Sequence, residues 1–369
     1  MNQSHQFAKE QFSKIRQMIN AGLSMSVIGI PGCGISVFLK QLSAQPFGKM
    51  IHIDVFSLPS LTSQEFFANL YEQLGGKSSD KTVTELVHAC QDRLTKTKGK
   101  DGQRVVIIIS GFDKLAPDFS NDFFRYLRSL HSVNQSKIVF VFGICRRLET
   151  ILPPELTNLD LRLLSNKYYL ERYHESDLKY LLDTYGPKLD VDAQTFKQMV
   201  RLSGGHFQFL QLLLQSEYRQ TPTDDPFIKL SFQNIWSHLS AAQKAILKKV
   251  AVNGTCPKTD MYLTNVGLIQ NPDGKYELFS PLFSDCVRTL INPKLPVKER
   301  RLLAILKRHE GRVVPKQEIY DAIWRGGELG SEWALNALVY RLRKHPAFIS
   351  QHFVIENQKK LGYMLIKSR

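Results

Sequence analysis

The chain has 369 residues, 43% hydrophobic and 22% charged, with a formal net charge of +15. That length holds two or three domains with real cores, and a pI near 9.5 points to an acidic partner. No apolar run reaches membrane-spanning length, and the start MNQSHQFAKEQ lacks the apolar core of a signal peptide. Cys33, Cys90, Cys145, Cys256 and Cys286 form no CxxC pair, which argues against a disulfide framework or a zinc site. A cytoplasmic protein with reduced thiols and no membrane partner is expected.

Residues 1–165 alternate buried-strand runs (SMSVIGI, MIHIDVF, VVIIIS, KIVFVFGI) with amphipathic stretches such as TSQEFFANLYEQL. Thr62 and Glu65 open that stretch at capping-box spacing. Strands alternating with helices predict a parallel sheet with helices on both faces. KTKGKDGQ, ending at Gln103, reads as a polar surface loop. Residues 166–230 read as wholly helical, through ESDLKYLLDTY, AQTFKQMVRL and GGHFQFLQLLLQ, closed by the linker RQTPTDDP. In 231–292, Ser240 precedes a helix with Ile246, Leu247 and Val250. GLIQNPDGKYELFSP then predicts a hairpin turning at Asn271-Pro272-Asp273-Gly274, so this part suggests a small winged helix. Residues 293–369 are basic: Ile291 to Arg369 carries 16 Lys/Arg against 7 Asp/Glu, +9 of the chain's +15. Concentrated positive charge suits a phosphate backbone, because neutralised phosphates release condensed counterions.

The first motif with chemistry is GIPGCGIS, Gly29 to Ser36, between a strand and the helical run VFLKQL. That is the setting of the phosphate-binding loop GxxxxGK[ST]. Gly29, Gly34 and Ser36 fit, and Ile35 occupies the lysine position. Helix-end amides still attract an anion by about 0.3–1 kcal/mol. The missing ammonium is the larger loss, about 4 kcal/mol for a charge pair at contact near a surface. In VVIIISGFDKL, Ser110 and Gly111 stand where a metal-binding Asp and a water-activating Glu belong, and Asp113 is expected to be directed elsewhere on the turn. Phosphoryl transfer rests on charge and metal positioning. The module is therefore expected to be a pseudo-ATPase and not an enzyme, with no catalytic residues and no metal site. ATP or ADP would be held weakly if at all, by Gly29, Gly32, Gly34, Ser36, Asp113 and Arg146. Arg146 and Arg147 follow the fourth strand as phosphate sensors or as solvated surface residues. Cys33 reads as a small residue filling the turn.

The order of the loop, IHIDVFSLPSLTSQEFF, SGFDKL, FVFGICRRLE, LSGGHF and SPLF makes residues 5–290 resemble the STAND group of AAA+-related ATPases. Members of that group generally carry proline where Phe207 stands. His206 and Phe207 either lie near an adenine or pack at the start of their helix. The third part, where Lys244, Lys248 and Lys249 either help hold phosphates or are plain surface residues, looks like the winged helix that follows the ATPase module in that group. There it packs against the ATPase core more often than it reads DNA.

In the last part, Glu299 to Arg308 predicts a helix turning Leu302, Leu303 and Leu306 inward, ended by Gly311. Val313-Val314 is extended, and Pro315 suits the first turn of a second helix burying Ile319, Ala322 and Ile323. The third helix buries Leu335, Leu338, Val339 and Leu342, leaving Asn336, Tyr340, Arg341, Arg343 and Lys344 outward. Asn and Arg can read adenine and guanine edges bidentately. The alternative for this face is a merely solvated surface. A hairpin follows with Lys359 and Lys360 at its tip, and Tyr363 is expected to pack beneath it.

HEGRVVPKQEIYDAIW and the Gly362-Tyr363 ending make residues 295–366 resemble the OmpR/PhoB-type winged helix of bacterial response regulators. Its members usually carry Arg-Gly where NQKKLGY has two lysines, so phosphate attraction at the tip is what carries over. The loop Arg325 to Gly330 matches one that can meet RNA polymerase in those regulators, and its glycines equally fit a flexible contact loop of another kind. The whole predicts a multidomain α/β chain: a P-loop-type parallel-sheet domain with a helical lid (1–165 and 166–230), then winged helices at 231–292 and 293–369. The function expected is a DNA-binding, homo-oligomeric transcriptional regulator acting on double-stranded DNA, with the front module as scaffold or as a platform responsive to a partner or ligand. Alternatives are an ATP/ADP-dependent switch, or an adaptor in a replication, transposition or defence complex.

Overall fold

The computed structural model describes residues 7–96, 104–154, 156, 162–186, 191–218, 220–256, 260–291, 295–324, 330–349, 351, 353–359 and 361–367. The chain divides into two compact units, Met1–Asp285 and Cys286–Arg369. Among the described residues, no helix is long and apolar enough to cross a membrane.

The first unit is built on a parallel sheet. In chain order it runs α1 (Lys9–Asn20), β1 (Met25–Ile28), α2 (Ile35–Ser43), β2 (Lys49–Asp54), α3 (Ser63–Gln73), α4 (Val83–Lys96), β3 (Val105–Ser110), α5 (Asn121–Ser132), β4 (Ile138–Ile144) and β5 (Lys167–Tyr169). The strand order is β2-β3-β4-β1-β5, and every pair is parallel. Every residue of β1, β3 and β4 is buried, whereas β2 alternates because it lies at an edge. Continuous apolar runs are what a sheet covered on both faces demands. Phe66, Phe67, Phe112, Phe123, Phe124, Phe140 and Phe142 pack between the sheet and α3–α5, with ring centroids 4.6–6.4 Å apart. Such pairs add stabilisation beyond the area they bury. Thr62 caps α3, accepting from the Glu65 amide.

One expectation fails in this unit. The stretch from 166 is not wholly helical, since Lys167–Tyr169 pairs with Ser26–Ile28 as the fifth strand. Three residues are too few to show a period of two, so only the tertiary pairing reveals them.

The helices that follow are α6 (Glu175–Tyr185), α7 (Ala193–Ser203), α8 (Phe207–Gln215) and α9 (Pro226–Ser237). At the end of RQTPTDDP, Asp225 caps α9: it accepts from the Phe227 and Ile228 amides, and Ser216 donates to it at 2.5 Å. Next come α10 (Ala241–Asn253), α11 (Met261–Asn265), the hairpin strands β6 (Ile269–Gln270) and β7 (Glu277–Leu278), and α12 (Pro281–Ile291), which contains the boundary between the units. Ser240 and Gln243 form a full capping box on α10. This segment packs onto the rest of the first unit: Ser280 donates to the Leu202 carbonyl at 2.7 Å, and Arg147 lies 5.6 Å from the Tyr262 ring.

The second unit contains α13 (Val297–Arg308), β8 (Val313–Pro315), α14 (Lys316–Ile323), α15 (Glu332–Lys344), α16 (Pro346–Ile349), β9 (Phe353–Gln358) and β10 (Gly362–Lys367). Its sheet is antiparallel, in the order β8-β10-β9. The inward residues named from the helical spacing of α13 and α15 are all buried. Ala322 is only half-buried, and Pro315 ends β8 rather than opening α14.

Candidate nucleotide pocket and nucleic-acid interface

Parallel strands bring the carboxyl ends of β1, β3 and β4 to one side of the sheet, where α/β folds place their ligands. The Gly29–Ser36 loop leaves β1 there and leads into α2. Gly32 (φ 81°) and Gly34 (φ 91°) take left-handed conformations that glycine adopts freely. Gly34 precedes α2 without any side-chain cap, so helix-end amides are open to an anion. Gly29 donates to the Ile144 carbonyl at 3.0 Å, tying the loop base to the end of β4. Burial pushes the Cys33 thiol up to about 12, in keeping with a residue that fills a turn.

Beside this loop lies a cavity of about 350 Å³. Of the residues expected to hold nucleotide, Gly32, Gly34, Ser36 and Asp113 line it. Gly29 sits at the base of the loop. Arg146 is near enough to His238 to help depress its pKa, after burial. Asp113 is not directed away: it lines the cavity, is 1% exposed, and accepts from the Cys145 amide through Oδ1 at 3.2 Å. Its Oδ2 is buried with no hydrogen-bond partner among the described residues. The lining residues that sequence alone did not point to include Lys114 and Phe56 near the strand ends, and Gln208, Gln211, Asn234 and His238 from the chain beyond β5. Lys114, in the quoted SGFDKL motif, carried a signal; the helical residues reach the cavity only through the tertiary fold. A free-amide loop, a hydroxyl, a carboxylate oxygen without a partner and a lysine fit a nucleotide with Mg²⁺, which takes one or two carboxylates plus phosphate oxygens.

His206 packs at the start of α8. Its Nδ1 accepts from the Phe209 amide at 3.2 Å and its Nε2 lies 2.9 Å from the Pro31 carbonyl, so the neutral ring satisfies both contacts. Phe207 is the one of the pair that reaches the cavity. Burial lowers the His206 pKa from 6.5 to about 4. The unfolded chain therefore binds the extra proton first, and stability falls as pH drops from 6.5 towards 4, by up to about 3 kcal/mol. Urea unfolding of the first unit across that range checks this, and His206→Gln should flatten the dependence. Equal slopes for both proteins would refute the assignment.

In the second unit, α15 presents Asn336, Tyr340, Arg341, Arg343 and Lys344 to solvent, as expected. Three of them are also tied down. Arg341 Nε donates to Glu299 Oε1 at 2.8 Å, Arg343 donates to the Ile355 carbonyl at 2.7 Å, and Tyr363 donates to Asn336 Oδ1 at 2.5 Å. With one lone pair of its carbonyl engaged, Asn336 keeps its amide nitrogen and a second lone pair for a base edge. Lys344 stacks 4.6 Å over the Tyr340 ring. The centre of the outward face is the row Trp333, Ala337, Tyr340 and Lys344, spaced i, i+4, i+7 and i+11 opposite the buried leucines. Trp333 is 80% exposed and was missed from sequence, although its place on that face follows from the spacing. Lys359 is exposed at the hairpin tip, while Lys360 and the loop 325–329 lie outside the described residues.

Because Glu299 is 5% exposed, Arg341→Ala strands a buried carboxylate. Thermal or urea unfolding should show a loss of about 1–3 kcal/mol, kept low in that range by the exposure of the arginine. No loss would mean that the pair is idle.

Known families correspond to both units. Residues 19–152 match the AAA domain family, and residues 292–365 match the family described as transcriptional regulatory protein, C terminal. An AAA+ ATPase-like module is fused here to a transcription-regulator DNA-binding domain. No protein of curated function matches the sequence. Among solved structures, the Walker-type ATPase PABY2304 of Pyrococcus abyssi is similar at 15% identity over 76% of this chain and 95% of that one, with a TM-score of 0.50, which shows a shared fold. The Aeropyrum pernix ORC1 protein in complex with DNA is similar at 14% identity over 98% of this chain and 88% of that one, with a TM-score of 0.42.

The AAA match overturns the expectation that the chain is not an enzyme, since it points to ATPase activity and shows no loss of it. The physical reason is visible in the cavity. Ile35, Ser110 and Gly111 lack the expected charges, but Asp113 and Lys114 stand at the same cavity as Ser36. Counting charges at fixed motif positions misses groups that enter from the next turn of chain.

Proposed function

We propose that this protein is a sequence-specific DNA-binding regulator of transcription whose affinity for its sites responds to nucleotide in the AAA module. The observation that carries it is the outward face of α15, where Trp333 and Tyr340 stand among Arg341, Arg343 and Lys344 in the most basic segment of the chain. A helix fits the major groove, aromatic and cationic side chains reach base edges and phosphates, and Lys359 at the hairpin tip, with Lys360 next in sequence, adds phosphate contacts. The four-part division at 165, 230 and 292, assembly into a homo-oligomer, and a polymerase contact through the loop 325–330 belong to the same proposal.

Selection of bound fragments from genomic DNA, followed by titration of the selected duplex with Mg·ATP, with Mg·ADP and without nucleotide, tests it. Specific binding that weakens steeply with salt is expected. The affinity should change about fivefold or more between nucleotide states, the lower end of ordinary coupling. A full-length protein that ignores DNA at low ionic strength would sink the proposal.

A further inference from the structure

The phosphate-binding loop lacks its lysine, and Ile35 in that place is 6% exposed and brings only hydrocarbon to the cavity. We propose that Lys114, from the turn after β3, supplies the phosphate-binding ammonium that the Gly29–Ser36 loop lacks. This rests on nucleotide binding as stated above, and assigns that role to a residue outside the motif.

Lys114 lines the same cavity as Gly34 and Ser36. Its Nζ lies 5.9 Å from the Phe56 ring centroid, a weak cation–π contact at an aromatic that is itself 62% exposed. Among the described residues, no carboxylate forms an ion pair with it. The Asp113 carboxylate next to it is held on one oxygen by the Cys145 amide and is buried, leaving its second oxygen for a metal ion rather than for the lysine. His238, which lines the same cavity, has a buried Nδ1 without a hydrogen-bond partner among the described residues, and burial, then Arg146 and Lys114, disfavour its charged form. Lys114 is thus the one cation among the described residues lining this cavity, beside a loop of open amides and one carboxylate. A polyphosphate carrying Mg²⁺ completes that balance. The ammonium enters from β3 rather than from α2, so it would meet the phosphates from the side of the cavity where Asp113 stands.

Calorimetric titration of Mg·ATP into the full-length protein tests this, with Lys114→Met, Lys114→Arg and the double variant Ile35→Lys/Lys114→Met alongside. Lys114→Met should weaken binding about tenfold or more, a charge contact discounted for partial exposure. Lys114→Arg should stay close to wild type, and the double variant should recover affinity because the ammonium returns to the loop itself. Unchanged near-ultraviolet circular dichroism confirms that each variant is folded. Wild-type affinity in Lys114→Met, or equal losses in the Met and Arg variants, overturns the assignment while leaving nucleotide binding in place. If the wild type takes up no Mg·ATP at millimolar concentration, nucleotide binding falls and this role falls with it.

Discussion

Changing Trp333 and Lys344 to alanine together is expected to weaken specific DNA binding by about 2–4 kcal/mol, with most of the specificity lost through Trp333. Trp333 stands in the first turn of α15, 80% exposed, and a recognition helix meets base edges chiefly with its N-terminal residues. An apolar ring there suits contact with thymine methyl groups. Lys344, at the other end of the same outward row, adds phosphate attraction. The two single variants should separate in a salt series: Lys344→Ala lowers the salt slope by about one, while Trp333→Ala leaves the slope and narrows the gap between specific and random DNA. Neither side chain has a buried role, so the fold should survive. Binding by the double variant that matches wild type on both DNAs would remove α15 from the interface.

The largest effect on folding is expected from Gly362→Ala. Gly362 opens β10 opposite Pro315, and a Cβ there would lie 1.9 Å from the Val314 carbonyl oxygen and 2.8 Å from its carbon. Both are backbone atoms of β8, so no side-chain rotation relieves the clash, and a strand glycine at such a spot marks close backbone approach. The strand pair must separate or the hairpin must bend, at about 2–4 kcal/mol. Hydrogen exchange reads it directly: the Gly311 amide, bonded to the Leu365 carbonyl at 2.9 Å, and the Lys316 amide, bonded to Leu361 at 3.3 Å, should lose protection before α13 and α15 do. Retention of full protection at both amides would show that β8 accommodates the methyl group.

What the sequence alone determined are the features that repeat locally. The apolar runs of β1, β3 and β4, the caps at Thr62 and Ser240, and the period of α13 and α15 each record burial on one element, and burial acts on neighbours a few residues apart. The site residues followed only where a helix face or a loop motif carried them, as with Asn336 to Lys344 and the Gly29–Ser36 glycines. Tertiary structure decided the rest. β5 exists because β1 offers it a partner, which three residues of sequence cannot announce. Asp113 and Lys114 reach the cavity because the turn after β3 folds towards the loop after β1, with β4 between them in the sheet. Likewise, Arg341, Arg343 and Asn336 look alike in sequence as base readers, yet Glu299, the Ile355 carbonyl and Tyr363 hold each in turn, because hydrogen bonds between distant segments depend on packing that no local pattern encodes.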